Sequence, residues 1–165
     1  MNELKRCLLP ALLGLTLLGT VAHAQSGQLT IDADNGELDE PNGYSVYSGN
    51  VHLQQQDIDL TGDRLTIERP NNGELSATME GQPAKLTHTP PDADSPIVAT
   101  ARSMTYNATS RQLTLEGGAR IERGEDTLSA DKIEYNLADR RMRAAGGESE
   151  RVRITIPAPD VPDTP

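Results

Sequence analysis

The stretch that decides the fold is Leu128-Ser-Ala-Asp-Lys-Ile-Glu-Tyr135, in which apolar and polar residues alternate on both sides of a small residue, Ala130. Successive side chains of a strand point to opposite faces, so this alternation predicts a strand with one apolar face and one face in water. After a turn, Met142-Arg-Ala-Ala-Gly146 completes a second run. The two runs predict one pair of antiparallel strands.

This strand-pair pattern occurs about four times along the chain. Earlier copies begin at Ile31, Leu60 and Ala99, and each copy has a small residue two positions later. The small residues are spaced by 29, 39 and 29 residues, and the longer gap contains a proline-rich stretch from Thr87 to Pro96 that we expect to be a loop. A repeat of this length predicts stacked supersecondary units that share one interior. The small residues and the recurring glycines predict bends or bulges, at these positions: Ala33, Gly62, Ala101, Ala130, Gly49, Gly81, Gly117 and Gly146.

Turn signals separate the apolar runs throughout, and no window shows a sustained helical period with caps. The turns are predicted at 41–43, 70–73, 107–110 and 138–140, where Asn, Asp, Gly and Pro cluster. We therefore predict an all-β fold in one domain spanning residues 25–156. Residues 157–165 contain four prolines and no alternation, which predicts a disordered tail.

The N-terminus has the pattern of an export signal. Lys5 and Arg6 precede a leucine-rich apolar stretch from Cys7 to Val21, and Ala22-His-Ala24 has the form of a signal-peptidase site. Pro10 interrupts the stretch, which is short for a membrane span. We predict export and cleavage after Ala24; the alternative is a retained anchor helix.

The composition narrows the classes of partner. The chain carries a net charge of -10, which becomes -11 once the predicted signal is removed, and this argues against nucleic acid, because phosphate binding needs a basic face. The only cysteine is Cys7, so the predicted mature chain cannot form an internal disulfide. It has neither tryptophan nor phenylalanine, and its interior must be mainly aliphatic.

The sequence contains only poor matches to catalytic and metal-binding motifs. The acidic segment 32–40 resembles a calcium loop, but its glycine is misplaced for an EF-hand, and a solvated turn is the better interpretation. His52 and His88 lack companions at metal-ligand spacing. Asp63 and Asp131 recur at equivalent repeat positions, which favours a structural role. We expect no enzyme activity, no metal and no cofactor.

The four copies, taken in order along the chain, resemble the sequences of the OstA-like family. Residues 31–34, 44–51 and 60–65 carry the resemblance, and Ser48-Gly-Asn-Val51 and the Asp-basic-apolar steps at Asp63 and Asp131 are its most diagnostic parts. The resemblance extends from Leu29 to Ile156. The resemblance implies an open, twisted β-jellyroll with a V-shaped section and an apolar inner face that holds lipid.

The same resemblance implies a periplasmic location for the exported chain and a role in lipopolysaccharide transport. Family members receive lipopolysaccharide from an inner-membrane transporter through a bitopic partner, and they pass it to an outer-membrane β-barrel. They join end to end by pairing edge strands, which would include self-association. The alternative from another class is an envelope scaffold or glycan-binding protein whose interior is filled.

Period-2 parity predicts which side chains face inward and could contact lipid. Whether each one is structural core or lipid wall stays open from parity alone. The inward set is Leu29, Ile31, Leu53, Leu60, Leu65, Ile67, Met79, Leu86, Met104, Tyr106, Leu115, Ile133 and Tyr135.

Edge strands supply the predicted partner interfaces. The run from Gln28 to Asp32 should form an N-terminal edge and the run from Arg151 to Ile156 a C-terminal edge, with unpaired backbone groups able to bind a neighbouring sheet. A capped edge in a monomer is the alternative. The interface residues are Gln28, Thr30, Asp32, Arg151, Val152, Arg153 and Ile154.

Overall fold

A computed structural model describes residues 28–69, 73–91, 94–148 and 151–157. The predicted signal peptide and residues 158–165 of the predicted tail lie outside these ranges. So do residues 70–72 of one predicted turn and residues 92–93 of the proline-rich loop. Within the described ranges, no helix is long and apolar enough to cross a membrane.

The described residues form ten strands in a single antiparallel sheet. They are β1 (Leu29–Asp32), β2 (Asn35–Asp39), β3 (Tyr44–Gln55), β4 (Ile58–Glu68), β5 (Ser76–His88), β6 (Ile97–Asn107), β7 (Gln112–Arg123), β8 (Asp126–Asn136), β9 (Arg141–Ala145) and β10 (Arg153–Thr155). The predicted all-β, open-sheet fold is confirmed.

Sequence neighbours are also neighbours in the sheet. Strands β3 to β8 are long and pair in chain order. At the N-terminal end, β1 and β2 pair with the two halves of β3, and at the C-terminal end β10 and β9 pair with the two halves of β8. The sheet therefore has two ends, each made of two short strands.

The register of each pair of long strands shifts near the residues where the sequence predicted bends or bulges, and the extra residues lie in β3, β5 and β7. The β3–β4 register shifts between Ser48 and Val51, and the following strand pairs shift at equivalent positions. Gly49 and Gly117 have positive φ angles of 81° and 83°, which glycine adopts at little steric cost. The bulges form one line across the sheet. We name its inward members, which are mostly small, the small-residue line: Ala33, Val51, Gly62, Ala84, Ala101, Ala119 and Ala130.

The sheet folds over on itself along this line. Leu65 and Ile133 have 0% of their surface exposed, although the described residues form no second layer of helices or strands. Burial of a side chain requires a covering layer on its face, so one half of the sheet must cover the other. The close approach at the fold explains why the line needs small residues. The result is a V-shaped section with its core at the vertex.

Loops close the strand pairs with local hydrogen bonds. Asn107 Oδ1 accepts hydrogen bonds from the backbone N–H and the hydroxyl of Ser110 at 2.9 and 3.1 Å, and Asn136 Oδ1 accepts two backbone bonds in the β8–β9 turn. Asp39 binds Asn42 at the first predicted turn. The proline-rich loop is shorter than predicted, since Thr87 and His88 belong to β5. β10 is shorter than the predicted run 151–156 as well.

Candidate functional site

Three apolar rows cross the inner face of the sheet and form the candidate site. The first row lies on one side of the small-residue line and connects residues that are directly opposite one another in consecutive strands. It consists of Ile31, Leu53, Leu60, Leu86, Ala99, Ile121, Leu128 and Ile154. Apart from the buried Ala99 and the exposed Ile154, its members are half-buried.

The second row lies next to the small-residue line, on its other side, and forms the floor of the site. It consists of Gly36, Tyr47, Leu65, Met79, Met104, Leu115, Ile133 and Ala144. Its five central side chains, from Leu65 to Ile133, are at most 3% exposed. They form the hydrophobic core together with the small-residue line.

The third row lies further from the vertex and faces the first row across the V. It consists of Leu38, Ser45, Ile67, Ala77, Tyr106, Leu113, Tyr135 and Met142. Ile67, Tyr106, Leu113 and Tyr135 are half-buried. Together the three rows form an apolar groove that runs across the strands from one end of the sheet to the other. Its floor is buried, and its two walls are partly exposed.

All thirteen residues predicted to face inward lie on this one face. Five of them, Leu65, Met79, Met104, Leu115 and Ile133, are packed in the core, so they support the walls and are not exposed on them. Leu29 is 47% exposed at the outer end of its half of the sheet. The remaining seven lie in the first and third rows.

The sequence analysis omitted several wall residues. Leu113 has the same parity as Leu115, and Leu128 the same parity as Ala130, so period-2 counting could have found both. Ile121 also has the parity of Leu115, because the step from Leu115 to Ala119 across the bulge is four residues, so the same counting could have found it.

The outer face is polar and carries His52. His52 Nε2 lies 2.7 Å from Asp59 Oδ2 on neighbouring strands. This hydrogen bond is the main reason that the pKa of Asp59 lies below its usual value, and burial opposes the shift. At one mouth of the groove, His88 Nε2 lies 2.7 Å from Asp57 Oδ2. Each pair joins two partly exposed side chains: His52 and Asp59 connect β3 and β4, and His88 of β5 contacts Asp57 of the β3–β4 turn.

The described residues contain no group of three or more His, Cys, Asp or Glu side chains that could hold a metal. Asp34 of the acidic segment 32–40 packs against Gly49 and binds Asn50 Nδ2 at 2.8 Å. Asp39 of the same segment binds the turn residue Asn42. These contacts give the segment a structural role.

A cavity of about 820 Å³ opens beside β10. Its lining combines Ala119 and Ala130 of the small-residue line with polar side chains, among them Arg120, Ser129 and Arg153. This mixed lining distinguishes it from the apolar groove. Arg120, Ser129 and Arg153 lie opposite one another on the outer face, so the cavity is a depression of that face beside β10.

The predicted interface residues lie at the two ends of the sheet. Thr30 and Asp32 are in β1 and Gln28 precedes it, while Arg153 and Ile154 are in β10 and Arg151 and Val152 precede it; all are exposed. Both strands pair on one side only among the described strands. Their positions thus leave backbone groups available to a partner.

Comparison with known protein families gives one extensive match. A family described as "LptA/(LptD N-terminal domain) LPS transport protein" matches residues 30–141. That span includes β2 to β8 and all the bulges described above.

Two characterised proteins and one solved structure are similar to the chain. The "Lipopolysaccharide export system protein LptH" of Pseudomonas aeruginosa is 29% identical over 157 residues, which cover 93% of this chain and 87% of that protein. The "Lipopolysaccharide export system protein LptA" of Escherichia coli K12 is 24% identical over 127 residues, covering 76% and 69%. The crystal structure of LptH, described as the LptA-homologous periplasmic component of a lipopolysaccharide transport device, superposes with a TM-score of 0.71 at 25% identity, covering 80% of this chain and 96% of that one.

Proposed function

Since the chain belongs to the LptA/(LptD N-terminal domain) family of LPS transport proteins, we propose that it carries lipopolysaccharide across the periplasm as part of an export bridge. The resemblance to the OstA-like family, and within it to lipopolysaccharide transport protein A, is confirmed by the family match and by the similarity to LptH and LptA. The observation that carries the proposal is the apolar groove between the first and third rows.

The groove suits the chemistry of the cargo. Each buried methylene is worth about 0.8 kcal/mol, so one acyl chain of roughly a dozen carbons costs on the order of 10 kcal/mol to expose to water. A carrier must therefore cover several chains at once. The two walls provide partly exposed, mainly apolar surface, and the rows repeat similar side chains from strand to strand, which keeps the binding energy similar along the path.

The rows divide the inner face into lipid-contacting walls and supporting floor. We assign contact with acyl chains to the half-buried residues of the first and third rows, chiefly Leu53, Leu60, Leu86, Ile121, Leu128, Ile67, Tyr106, Leu113 and Tyr135. The buried second row holds the walls apart and does not itself contact the cargo.

The two ends of the sheet are the proposed joints. β1 would pair with the bitopic inner-membrane component or a preceding copy, and β10 with the outer-membrane β-barrel translocon or a following copy. Strand addition at an open edge gives affinity through main-chain hydrogen bonds. The proposal also includes export, cleavage after Ala24, a periplasmic location and the absence of catalysis, since a conduit needs walls and edges but no reactive group.

The test is in-cell photo-crosslinking. A crosslinking amino acid at Ile31 or Tyr106, on the first and third rows, should capture lipopolysaccharide. The matched control is Thr66, which lies on the outer face between Leu65 and Ile67 and should capture none. Equal labelling at the three positions, or none at any, would contradict the carrier function and favour a scaffold or glycan-binding protein with a filled interior.

A further inference from the structure

The cavity beside β10 is basic, although the protein is acidic. The whole chain has 25 Asp and Glu residues and only 15 Lys and Arg residues. Among the residues that the structure describes, the cavity lining contains three arginines, Arg120, Arg151 and Arg153, and no aspartate or glutamate. A cleft lined by one sign of charge concentrates ligands of the opposite sign. The lining therefore indicates an anionic ligand.

The strand register brings two of the arginines to either side of one serine. Ser129 of β8 lies directly opposite both Arg120 of β7 and Arg153 of β10. Strands two apart are separated by about 10 Å, so both long side chains can reach a group held above Ser129. Like charges on neighbouring strands oppose pairing, and an anion between them would relieve this repulsion.

Arg120 is held in place by an acid outside the cavity lining. Its Nε and Nη2 atoms each lie 2.7 Å from Glu122 Oε1, and its Nη1 atom donates a hydrogen bond to Ser129 Oγ at 3.4 Å. Glu122 offsets much of the charge of this guanidinium and fixes its orientation beside Ser129. Arg120 therefore contributes a positioned donor more than a free charge.

The other two arginines keep their charge. Within the described part of the chain, neither Arg151 nor Arg153 has an ion pair within 4 Å. If the pairing of β8 with β10 continued two residues before Arg153, Asp131 would come opposite Arg151. Asp131 instead packs against Gly147, where an added Cβ would lie 3.0 Å from its Cγ atom. Two positive charges thus remain available to a ligand.

Hydroxyl groups complete the lining. Thr127 and Thr155 lie directly opposite one another, next to Ser129. Hydroxyls both donate and accept hydrogen bonds, which suits the hydroxyls of a sugar, whereas the guanidinium fork suits the oxygens of a phosphate. The volume of about 820 Å³ is that of a small-molecule pocket and is larger than a bare phosphate ion needs.

We propose that this cavity binds a phosphate ester of a sugar, with Arg151 and Arg153 contacting the phosphate and the hydroxyl side chains contacting the sugar. Arg153 and Ser129 lie on the outer face, whereas the apolar groove is on the inner face. The proposal therefore does not rest on the function of the groove. The phosphorylated head of a lipopolysaccharide and a free sugar phosphate share this chemistry, and the test separates them.

The test is a titration of the isotope-labelled mature chain with glucose 1-phosphate, followed by nuclear magnetic resonance. Amide signals of residues 118–120, 127–130 and 151–155 should shift and saturate. Arg153→Gln should weaken binding by roughly tenfold, because it removes a charge-assisted hydrogen bond, and high salt should weaken it as well. The matched control is Arg143→Gln in β9, which removes the same charge outside the cavity lining and should bind like the wild type.

The source of the phosphate follows from a second titration with intact and dephosphorylated lipopolysaccharide. Weaker binding of the intact form alone by Arg153→Gln would identify the lipid head as the ligand, and an unchanged affinity for both forms would identify a free sugar phosphate. Crosslinking at Tyr106 in the same variant should persist, because it reports on the groove. Absence of saturation with glucose 1-phosphate, equal binding of glucose or of inorganic phosphate, or an equal loss in Arg143→Gln would overturn the proposal.

Discussion

Gly62 of β4 lies directly against the Met79 side chain of β5. A Cβ atom built on Gly62 would be 2.6 Å from Met79 Sδ and 2.7 Å from the Glu80 carbonyl oxygen. The contact lies on the small-residue line, next to a methionine that is 1% exposed. It shows in one place why the fold of the sheet requires a small residue: the second row occupies the space that a side chain would need.

Gly62→Ala should therefore destabilise the protein by about 1–3 kcal/mol, the usual cost of overpacking a core. The measurement is urea unfolding followed by circular dichroism. Gly36→Ala is the control, because the nearest atoms to its added Cβ belong to the Tyr47 ring at 3.5 Å, an ordinary contact. Equal stability of the two variants would show that the vertex is not tightly packed.

The floor and the surface of the fold should differ sharply in their response to truncation. Leu65→Ala removes a side chain with 0% exposure and should cost about 2–5 kcal/mol. Leu137→Ala, at a position 44% exposed in the β8–β9 turn, should cost at most about 0.5 kcal/mol. A small effect at Leu65 would mean that the groove floor is open to water, contrary to the V-shaped section.

Wall residues should affect cargo binding more than stability. Ile121→Asn places an amide among the acyl chains and should weaken lipopolysaccharide binding by roughly tenfold, equivalent to about 1.4 kcal/mol, through lost apolar burial. Thr100→Asn changes the outer face of the neighbouring strand and should have no effect. Binding is measured by co-purification with titrated lipopolysaccharide. Equal losses in both variants would show that the walls do not contact lipid.

The His52–Asp59 pair should contribute a weak pH dependence. The hydrogen bond from His52 lowers the pKa of Asp59 below its usual 3.8, so the folded state binds this proton less readily than the unfolded state. The resulting stability is present above pH 3.8 and is lost as the pH falls below it. Asp59→Asn should be less stable than the wild type at pH 6, and the difference should shrink by pH 2.5. The effect should be modest, because the Asp59 side chain is 45% exposed. Urea midpoints at the two pH values measure it, and a difference independent of pH would contradict the assignment.

Much of the fold was predictable because it follows from local chemistry. The period-2 parity of Leu65 and Ile67 placed them on one face, and the recurring Ala and Gly residues marked the bulges, since backbone geometry and steric size act over a few residues. The division between floor and wall was not predictable. Leu65 and Ile67 have the same parity, and only the folding of the whole sheet buries the first and leaves the second on a wall.

The most direct test of the account is spin-label accessibility in the groove. The predicted mature chain has no cysteine, so a nitroxide can be attached to a single cysteine introduced at Ile121 on the inner wall or at Thr100 on the outer face. Collision with a water-soluble relaxation agent is then measured by electron paramagnetic resonance before and after lipopolysaccharide is added. The account predicts a marked fall in accessibility at position 121 and none at position 100. An unchanged signal at position 121, or equal changes at both positions, would contradict it.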